Sequence, residues 1–543
     1  MLFMIVFSSC KQSNASLEQK NHKSLDIALN SNDYTIEKLN DVDTINLNLY
    51  DNPKNVYLLF TNFSKINNKI ILKNSEDIQQ GLQKRTEYPL YNQESSTQHT
   101  PKYIMNFNHQ PIEEGEFLKE LESAKFFKSD SINSNQLFYL EKDLSISTQA
   151  TSRKIVKNIK TEYGNKTLNI WVSDDSFGEN CSKEYCVRQD MVDILADIFL
   201  KDGEDNDIYD WITNIFGEEW GEANNGSFIS NSNEITILLT DINSDNRVMG
   251  GMLGYFYAKD NYKKTLFEGS NERVMFYIDS VLFASHQGQD LWSIENDQTK
   301  KVISTLAHEF EHMIHFYQKR ILQSSSGLKP WIDEMLAVSV EDIIATKLET
   351  KGTRGVSYSR GDAGEDYNHY GRFSLFNKNI SQTLPTWSNT REDYAKVSAF
   401  GGYLVRNYGG AKLLHDIMHN RYTDEKAITV AVEKSLNGLN KDFGTLMQDW
   451  GVAVILSANT DLGVDSGYLY NLGDFLEIEY KNSSYDMGSI NFFNYQNKPN
   501  IVNKISSIEP KSNFYYKVGS NLTGNINIQI DKSSDVKMTL IVQ

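Results

Sequence analysis

One stretch near the middle of the chain, TLAHEFEHMIHFYQK, constrains the fold more than any other. It contains the pattern His-Glu-x-x-His at His308, Glu309 and His312. In an α-helix the two histidines lie about 40° apart around the axis and about 6 Å along it, so both imidazoles can reach one metal ion. Apolar residues repeat at spacings of three and four, which predicts a buried helix that holds these side chains rigidly. The apolar residues are Ile303, Leu306, Phe310, Met313 and Tyr317.

A second helical pattern, KPWIDEMLAVSVEDIIA, supplies the third ligand that a catalytic zinc site needs. Pro330 suits the first turn of this helix, and the apolar period turns Glu334 toward the two histidines. Two histidines and one glutamate leave a fourth position open for water, which is the arrangement of one catalytic zinc ion. Glu341, two turns beyond Glu334 on the same face, is expected to hydrogen-bond a ligand imidazole.

Glu309 is predicted to be a general base rather than a ligand, because it points about 100° away from His308 around the helix. It could take a proton from a zinc-activated water and pass it to a leaving amine, which is peptide hydrolysis. The simplest alternative is that His308 and His312 are ordinary core histidines. The alternative function is a surface-displayed binding protein or adhesin with a non-catalytic zinc, but a closed site would need a fourth side-chain ligand, and none is evident.

The combined motifs resemble the gluzincin metallopeptidases, and most closely the hyicolysin family. The resemblance rests on HEFEHMIHF and WIDEMLA and extends to VYLLFTN, LNIWVSDD, NDIYDWITNIFGEEWG, ILLTDIN, GYFYAKDNY and MFYID, so it covers roughly residues 50 to 460. It implies an α+β, thermolysin-like catalytic domain built around an active-site helix and a Glu-ligand helix. The segment WIDEMLAVSVE is also similar to the ligand helix of the aminopeptidase N group, although Asp333 and Met335 replace the usual Asn and Gly.

The resemblance also implies a tyrosine that stabilises the developing oxyanion. In aminopeptidase-like gluzincins this tyrosine opens a later helix, and Tyr394 of YAKVSAFGGYLVRNYGG matches it. Tyr367, Tyr370 and His369 in DYNHYGRF are competitors for this role. Exopeptidase relatives carry a Gly-x-Met-Glu-Asn stretch whose Glu binds the free amine of the substrate. The nearest match here, GGMLG, lacks that Glu, so endopeptidase action is favoured.

The first residues, MLFMIVFSSCKQSN, resemble the signal and lipobox of a bacterial lipoprotein. They predict export, lipidation of Cys10 and attachment to a membrane through this N-terminal anchor, at the cell envelope or cell surface. Secretion is the alternative location. Cys181 and Cys186 in CSKEYC are predicted to form a local disulfide, as expected for an exported protein.

Charge excludes nucleic acid as a partner, because the formal net charge is −18 and phosphate binding needs concentrated Lys and Arg. Proteins or peptides are the expected substrates. Two acidic segments, DINSDN and DGEDNDIYD, resemble calcium loops, yet Met252 stands where the twelfth-position glutamate of the first would be. They are interpreted as turns, with a calcium ion as the alternative. His315, one turn past His312, is interpreted as a packing residue.

Four segments are predicted from composition and periodicity. Residues 1–44 form a lipoprotein signal and polar linker, and residues 45–150 form an N-terminal β-rich domain that contains a short helix around EEGEFLKELESAKFF. Residues 151–460 form the zinc metallopeptidase domain, in which strands alternate with long helices. Residues 461–543 form a C-terminal β-sandwich domain.

Overall fold

A computed structural model describes most of the chain. The residues it describes are 23–30, 34–73, 100–112, 130–223, 226–230, 232–286, 291–458, 466–504 and 507–543. Cys10 and the helix expected in EEGEFLKELESAKFF lie outside these ranges. Within them, each helix is either too short or too polar to cross a bilayer.

Helices and strands are mixed along the chain, as the sequence predicted. The strands are β1 (Ser24–Ala28), β2 (Thr35–Lys38), β3 (Thr44–Asn48), β4 (Lys54–Asn62), β5 (Asn68–Leu72), β6 (Asn135–Tyr139), β7 (Ser147–Thr161), β8 (Gly164–Ser173), β9 (Glu234–Thr240), β10 (Gly254–Phe256), β11 (Val274–Asp279), β12 (Leu476–Tyr480), β13 (Ser483–Met487), β14 (Ser507–Ile508), β15 (Ser512–Leu522), β16 (Asn525–Lys532) and β17 (Val536–Val542). The α-helices are α1 (Lys102–His109), α2 (Gln189–Phe199), α3 (Ile208–Phe216), α4 (Ser280–Ala284), α5 (Asp297–His315), α6 (Pro330–Ile343), α7 (Phe373–Phe376), α8 (Arg391–Asn407), α9 (Ala411–His419), α10 (Glu425–Val432) and α11 (Phe443–Leu456).

A six-stranded mixed sheet carries the central domain, in the order β10-β11-β9-β8-β7-β6. The three central strands β8, β9 and β11 run parallel, and the outer strands run antiparallel to their neighbours. β9 and β11 are buried along almost their whole length, which explains their continuous apolar sequences. α5 packs beside β10 and β11, and α6 packs against both α5 and α8. The two helices that carry the predicted ligands therefore face each other.

Local signals in the sequence predicted these helices well. The pattern predicted helices at residues 296–320 and 331–348, and the structure has α5 at Asp297–His315 and α6 at Pro330–Ile343, with Pro330 in the first turn of α6. A π-helical segment, Phe316–Leu322, continues α5. The chain leaves α8 through Gly409 and Gly410, whose φ angles of 103° and 57° suit glycine at a helix end.

The N- and C-terminal β segments form one sandwich, whereas the sequence predicted two separate β domains. One sheet has the order β1-β3-β16-β5-β14 and the other β15-β4-β17-β2. β1 and β2 lie in the segment expected to be a linker. β4 lies between β15 and β17, so Leu58 and Phe60 share a buried core with Met538 and Leu540. Both terminal segments contribute strands to both sheets and to one buried core, and alternation of residues does not reveal which strands pair.

Both boundaries of the central domain also differ from the prediction. The expected division between residues 150 and 151 falls inside β7, and β6 pairs with that strand. After α11, residues 466–501 return to the central domain. The Tyr485 hydroxyl donates to the Trp211 carbonyl at 3.0 Å, and the Phe492 ring centre lies 5.3 Å from that of Phe373. The sandwich resumes at Val502, which pairs with β15 just before β14.

Candidate functional site

His308 and His312 lie one turn apart on α5, and Glu334 reaches them from α6. Their Nε2 atoms are 3.2 Å apart. Glu334 Oε2 lies 3.3 Å from His308 Nε2 and 3.5 Å from His312 Nε2. All three side chains are buried. The three predicted ligands thus present one atom each to a common point.

This triangle of atoms fits a zinc ion. Zinc binds histidine nitrogen and carboxylate oxygen at about 2.0–2.2 Å, so neighbouring ligands of a tetrahedral site are about 3.3 Å apart. Glu334 Oε2 is buried and accepts no hydrogen bond from any of the described residues. A buried carboxylate oxygen without a donor is costly unless a cation meets it. The donor set and its spacing therefore suit a metal.

The surrounding carboxylates favour positive charge between the two imidazoles. Burial lowers the pKa of His308, but Glu334 and Glu341 outweigh this effect and raise it to about 9. Burial raises the pKa of Glu334, yet His312 and His308 together hold it well below its usual range. The site therefore requires a cation, either as protons on the histidines or as a metal ion that replaces those protons.

Glu341 orients His308 from the side away from this triangle. His308 Nδ1 lies 2.7 Å from Glu341 Oε1, and Arg372 Nη2 donates to both Glu341 oxygens at 2.9 and 2.8 Å. Burial raises the pKa of Glu341, but Arg372 and His308 lower it to about 2. Because Glu341 is ionised, it accepts the Nδ1 proton and leaves the Nε2 lone pair for a metal.

Asp333, the residue before Glu334, orients His312. Asp333 Oδ1 lies 3.3 Å from His312 Nδ1 and 3.0 Å from His315 Nδ1. His315 Nε2 accepts the Leu328 backbone N–H at 3.0 Å, so Nδ1 carries the ring proton and donates it to Asp333. Asp333 Oδ2 lies 3.0 Å from His109 Nε2 on α1. His315, which the sequence suggested was a packing residue, therefore helps to hold the carboxylate that contacts His312.

A second carboxyl group, Glu311, lies beside Asp333. Its Oε2 atom is 3.5 Å from His312 Nδ1, and both of its oxygens are buried without a hydrogen-bond partner in the described part of the chain. Burial raises the pKa of Glu311 well above its usual range, and the charge of Asp333 adds to that rise. Burial and the charge of Asp333 therefore both favour the protonated form of the Glu311 carboxyl group beside the His312 imidazole.

Glu309 is buried on the same helix as the two histidines and is held by a backbone hydrogen bond. The Phe256 backbone N–H at the edge strand β10 donates to Glu309 Oε2 at 2.9 Å. Burial raises the pKa of Glu309 above its ordinary value, although His308 and His312 partly oppose this. A raised pKa brings a carboxylate closer to the range in which it can both take and return a proton near neutral pH.

Tyr394 in the first turn of α8 reaches the same point. Its hydroxyl donates to Glu334 Oε1 at 2.9 Å, and Asn389 Oδ1 lies 3.3 Å from it. Burial, followed by the charge of Glu334, raises the pKa of Tyr394 well above its usual value. The hydroxyl therefore stays protonated and can donate to an oxyanion.

The competing tyrosines lie at the surface. Tyr367 and Tyr370 are 54% and 49% exposed, whereas Tyr394 is 2% exposed. The ring of Tyr367 lies beside Lys498, and that of Tyr370 beside Lys351. Their neighbour His369 is also exposed. The structure thus brings only Tyr394 of these candidates to Glu334.

The other residues singled out in the sequence lie away from this point. Cys181 and Cys186 are joined by a disulfide, with their Cα atoms 6.0 Å apart. In the segment DINSDN, Asp241 pairs with Lys183 at 2.8 Å. In the segment DGEDNDIYD, Asp207 caps the start of α3. These acidic residues make the contacts of turns and helix caps.

Sequence reasoning missed Arg372 and His109. Arg372 lies 31 residues from Glu341 in a segment without periodic signal, and His109 comes from a separate helix far upstream. Asp333 did give a signal, because a carboxylate beside a ligand departs from the aminopeptidase pattern.

A known protein family matches the part of the chain that carries His308, His312 and Glu334. The Peptidase M30 family matches residues 147–464, a range that includes α5, α6 and α8. The neutral metalloprotease ShpI of Staphylococcus hyicus is 24% identical to this chain over 396 residues, which are 72% of this chain and 78% of that protein.

Proposed function

The chain belongs to the peptidase M30 family and is a metallopeptidase, and from its site we propose that it is an exported, zinc-dependent endopeptidase. The observation that carries this proposal is the buried triangle of His308, His312 and Glu334, with ligand atoms 3.2 to 3.5 Å apart. We assign zinc because two imidazoles and one carboxylate form a common catalytic zinc set. A ligand glutamate on a separate helix supports a gluzincin-type domain. When bound, zinc supplies Lewis-acid activation of a water molecule and of the scissile carbonyl group.

Proton transfer in this proposal is the task of Glu309. Its side chain is fixed by the Phe256 N–H, and its raised pKa suits a group that removes a proton from the attacking water. The same carboxyl group then returns the proton to the leaving nitrogen.

Tyr394 is proposed to stabilise the oxyanion that forms on the substrate. Its hydroxyl already lies at 2.9 Å from the ligand carboxylate, so a small rotation would direct it to a neighbouring oxygen. Glu341 and Asp333 act indirectly, because each holds one imidazole with its Nε2 atom toward the metal position.

Endopeptidase action and export rest on separate observations. In GGMLG, the buried Leu253 stands where an exopeptidase would carry the glutamate that binds a free amine. The disulfide between Cys181 and Cys186 is typical of proteins in oxidising compartments. Lipidation at Cys10, with attachment to the cell envelope, remains the proposed form of export.

The test is to incubate the purified protein with a denatured protein mixture and to sequence the cut ends. We expect internal cleavage that a chelator abolishes and that added zinc restores. Glu309→Gln should not cleave, whereas Glu392→Gln, a change at an exposed residue of α8, should cleave normally. If metal-loaded protein leaves every substrate intact, the binding-protein alternative replaces the proposal. Release of single N-terminal residues would contradict endopeptidase action.

A further inference from the structure

β10 is an open sheet edge beside the site. It ends the six-stranded sheet, and no strand pairs with its outer side within the described ranges. The Leu253 carbonyl accepts the Asp279 N–H at 2.8 Å, so the backbone N–H and C=O groups of Leu253 and Tyr255 point toward β11. Because these groups alternate in direction along an antiparallel strand, the backbone groups of Gly254 and Phe256 point outward from the sheet edge. The contact from the Phe256 N–H to Glu309 shows that this outer edge runs directly past the proposed base.

The side chain of Asn108 occupies part of that edge. Its Nδ2 atom donates to the Phe256 carbonyl at 2.8 Å, and its Oδ1 atom accepts the Ala258 N–H at 2.9 Å. One donor and one acceptor at this spacing are what a residue of a neighbouring strand would offer. Asn108 therefore occupies the Phe256 carbonyl and the Ala258 N–H, the backbone groups with which an added strand would otherwise pair.

Asn108 is held in place by its helix. Arg320, which is buried in the π-helical segment after α5, donates to the carbonyl groups of Asn108 and Gln110. The next residue, His109, contacts Asp333, and the ring of Phe107 packs edge-on against Tyr257 at 5.2 Å. These contacts attach α1 to the edge strand, to the active-site helix and to the residue that orients His312.

We propose that Asn108 sets the length of extended substrate that the cleft accepts on the α1 side of the scissile bond. An extended peptide binds a sheet edge by adding a strand to it. Along β10 this strand can pair at Gly254, but Asn108 stops it at Phe256. Residues of substrate beyond that point gain no backbone hydrogen bonds. The inference rests on the proposed function, because it takes the edge beside Glu309 as the substrate edge.

Two peptide series test this. Both start from one core peptide cut by the enzyme, and one is extended residue by residue at its N-terminus, the other at its C-terminus. Binding is measured by fluorescence anisotropy on the zinc-loaded Glu309→Gln protein, so that no turnover is needed. We expect affinity to stop rising after a fixed length at one end. Adding Asn108→Ala should let affinity rise by about 2- to 10-fold over the next residues at that end, as one recovered hydrogen bond would give.

Matched variants decide the result. Asn106→Ala, an exposed position on the same helix, should keep the parent length limit. Asn108→Asp keeps an acceptor for the Ala258 N–H but loses the donor to Phe256, so it should lengthen the limit less than Asn108→Ala does. If Asn108→Ala lowers the melting temperature severely, Asn108→Asp decides alone.

Three outcomes would overturn the inference. The first is an identical length limit in Asn108→Ala and Asn106→Ala, and the second is no peptide binding in any of these proteins. The third, measured with Asn108→Ala alone in the otherwise unchanged enzyme, is a rise in turnover toward all peptides whatever their length, which would make α1 an inhibitory segment instead. If the unchanged enzyme cuts no peptide, the proposed function fails before this test begins, whereas cleavage without a length limit that depends on Asn108 would refute this inference alone.

Discussion

Each of the two histidines of the site is oriented by a carboxylate, but the two carboxylates have different neighbours. On the His308 flank one carboxylate, Glu341, is neutralised by the fixed cation of Arg372. On the His312 flank, Asp333 contacts two further imidazoles instead of a guanidinium group, and the buried carboxyl group of Glu311 lies close by. The two imidazoles are equivalent in the motif His-Glu-x-x-His but not in their surroundings. The orientation of His308 therefore depends on a single carboxylate, whereas on the His312 flank a second carboxyl group, that of Glu311, could replace Asp333.

The largest effect should come from removing Glu334, the ligand that lies next to both histidines. Glu334→Ala should lose bound metal after dialysis and with it all measurable peptide cleavage, because it deletes a charged ligand. Glu309→Gln should keep the metal and lose about 10² to 10⁴ in turnover, the range for general acid–base assistance. Metal content and cleavage rate are measured on the same samples. Wild-type cleavage by Glu309→Gln would exclude the proposed chemistry, whatever its metal content.

The next effect should come from Tyr394, whose hydroxyl contacts Glu334, the ligand that both histidines share. Tyr394→Phe should keep the metal, because it removes a hydrogen bond to Glu334 but no ligand. Turnover should fall by about 10² to 10³, as for the loss of one oxyanion donor. The measurement is kcat at saturating peptide, with Tyr370→Phe as the matched control at an exposed tyrosine. A full rate in Tyr394→Phe together with a reduced rate in the control would move the role to the loop before α7.

Part of this comparison could be predicted from the sequence. The spacing within one helix places His308 beside His312, and the period of the next helix places Glu334 and Glu341 on one face. Contacts within or between periodic helices carry such signals. Arg372 lies in a loop, so its pairing with Glu341 depends on how that loop packs. His109 and Asn108 come from a short helix far upstream, and only the tertiary fold brings them to the site.

The same limit explains the error in the domain division. Alternation in VYLLFTNF predicts a half-buried strand, but it does not say which strand covers it. In the structure β4 is flanked by β15 and β17 from the other end of the chain. On its second face, Leu59 packs closely against Gly451 of α11, which ties the sandwich to the central domain. Long-range pairing of this kind is invisible to a local pattern.

A smaller effect should separate the flanks themselves. Glu341→Gln removes the only carboxylate that contacts His308 Nδ1 among the described residues and leaves the Arg372 cation without its partner. We expect metal affinity to fall by about 100-fold, the upper end for the loss of a residue that supports a ligand. Affinity is measured by competition with a chromogenic chelator, so no turnover is required. An unchanged affinity would show that Glu341 does not orient His308 toward the metal.

The smallest effect should come from Asp333→Asn, because Glu311 on the His312 flank can replace Asp333. Without the charge of Asp333, the rise that it adds to the pKa of Glu311 disappears, so Glu311 ionises more readily. Its Oε2 atom, 3.5 Å from His312 Nδ1, can then accept the ring proton. We expect a loss in metal affinity of about 10-fold, the lower end of the same range. Adding Glu311→Gln should bring the loss to that of Glu341→Gln, whereas Glu311→Gln alone should cost little. Equal losses of metal affinity in Asp333→Asn and Glu341→Gln would contradict the replacement of Asp333 by Glu311.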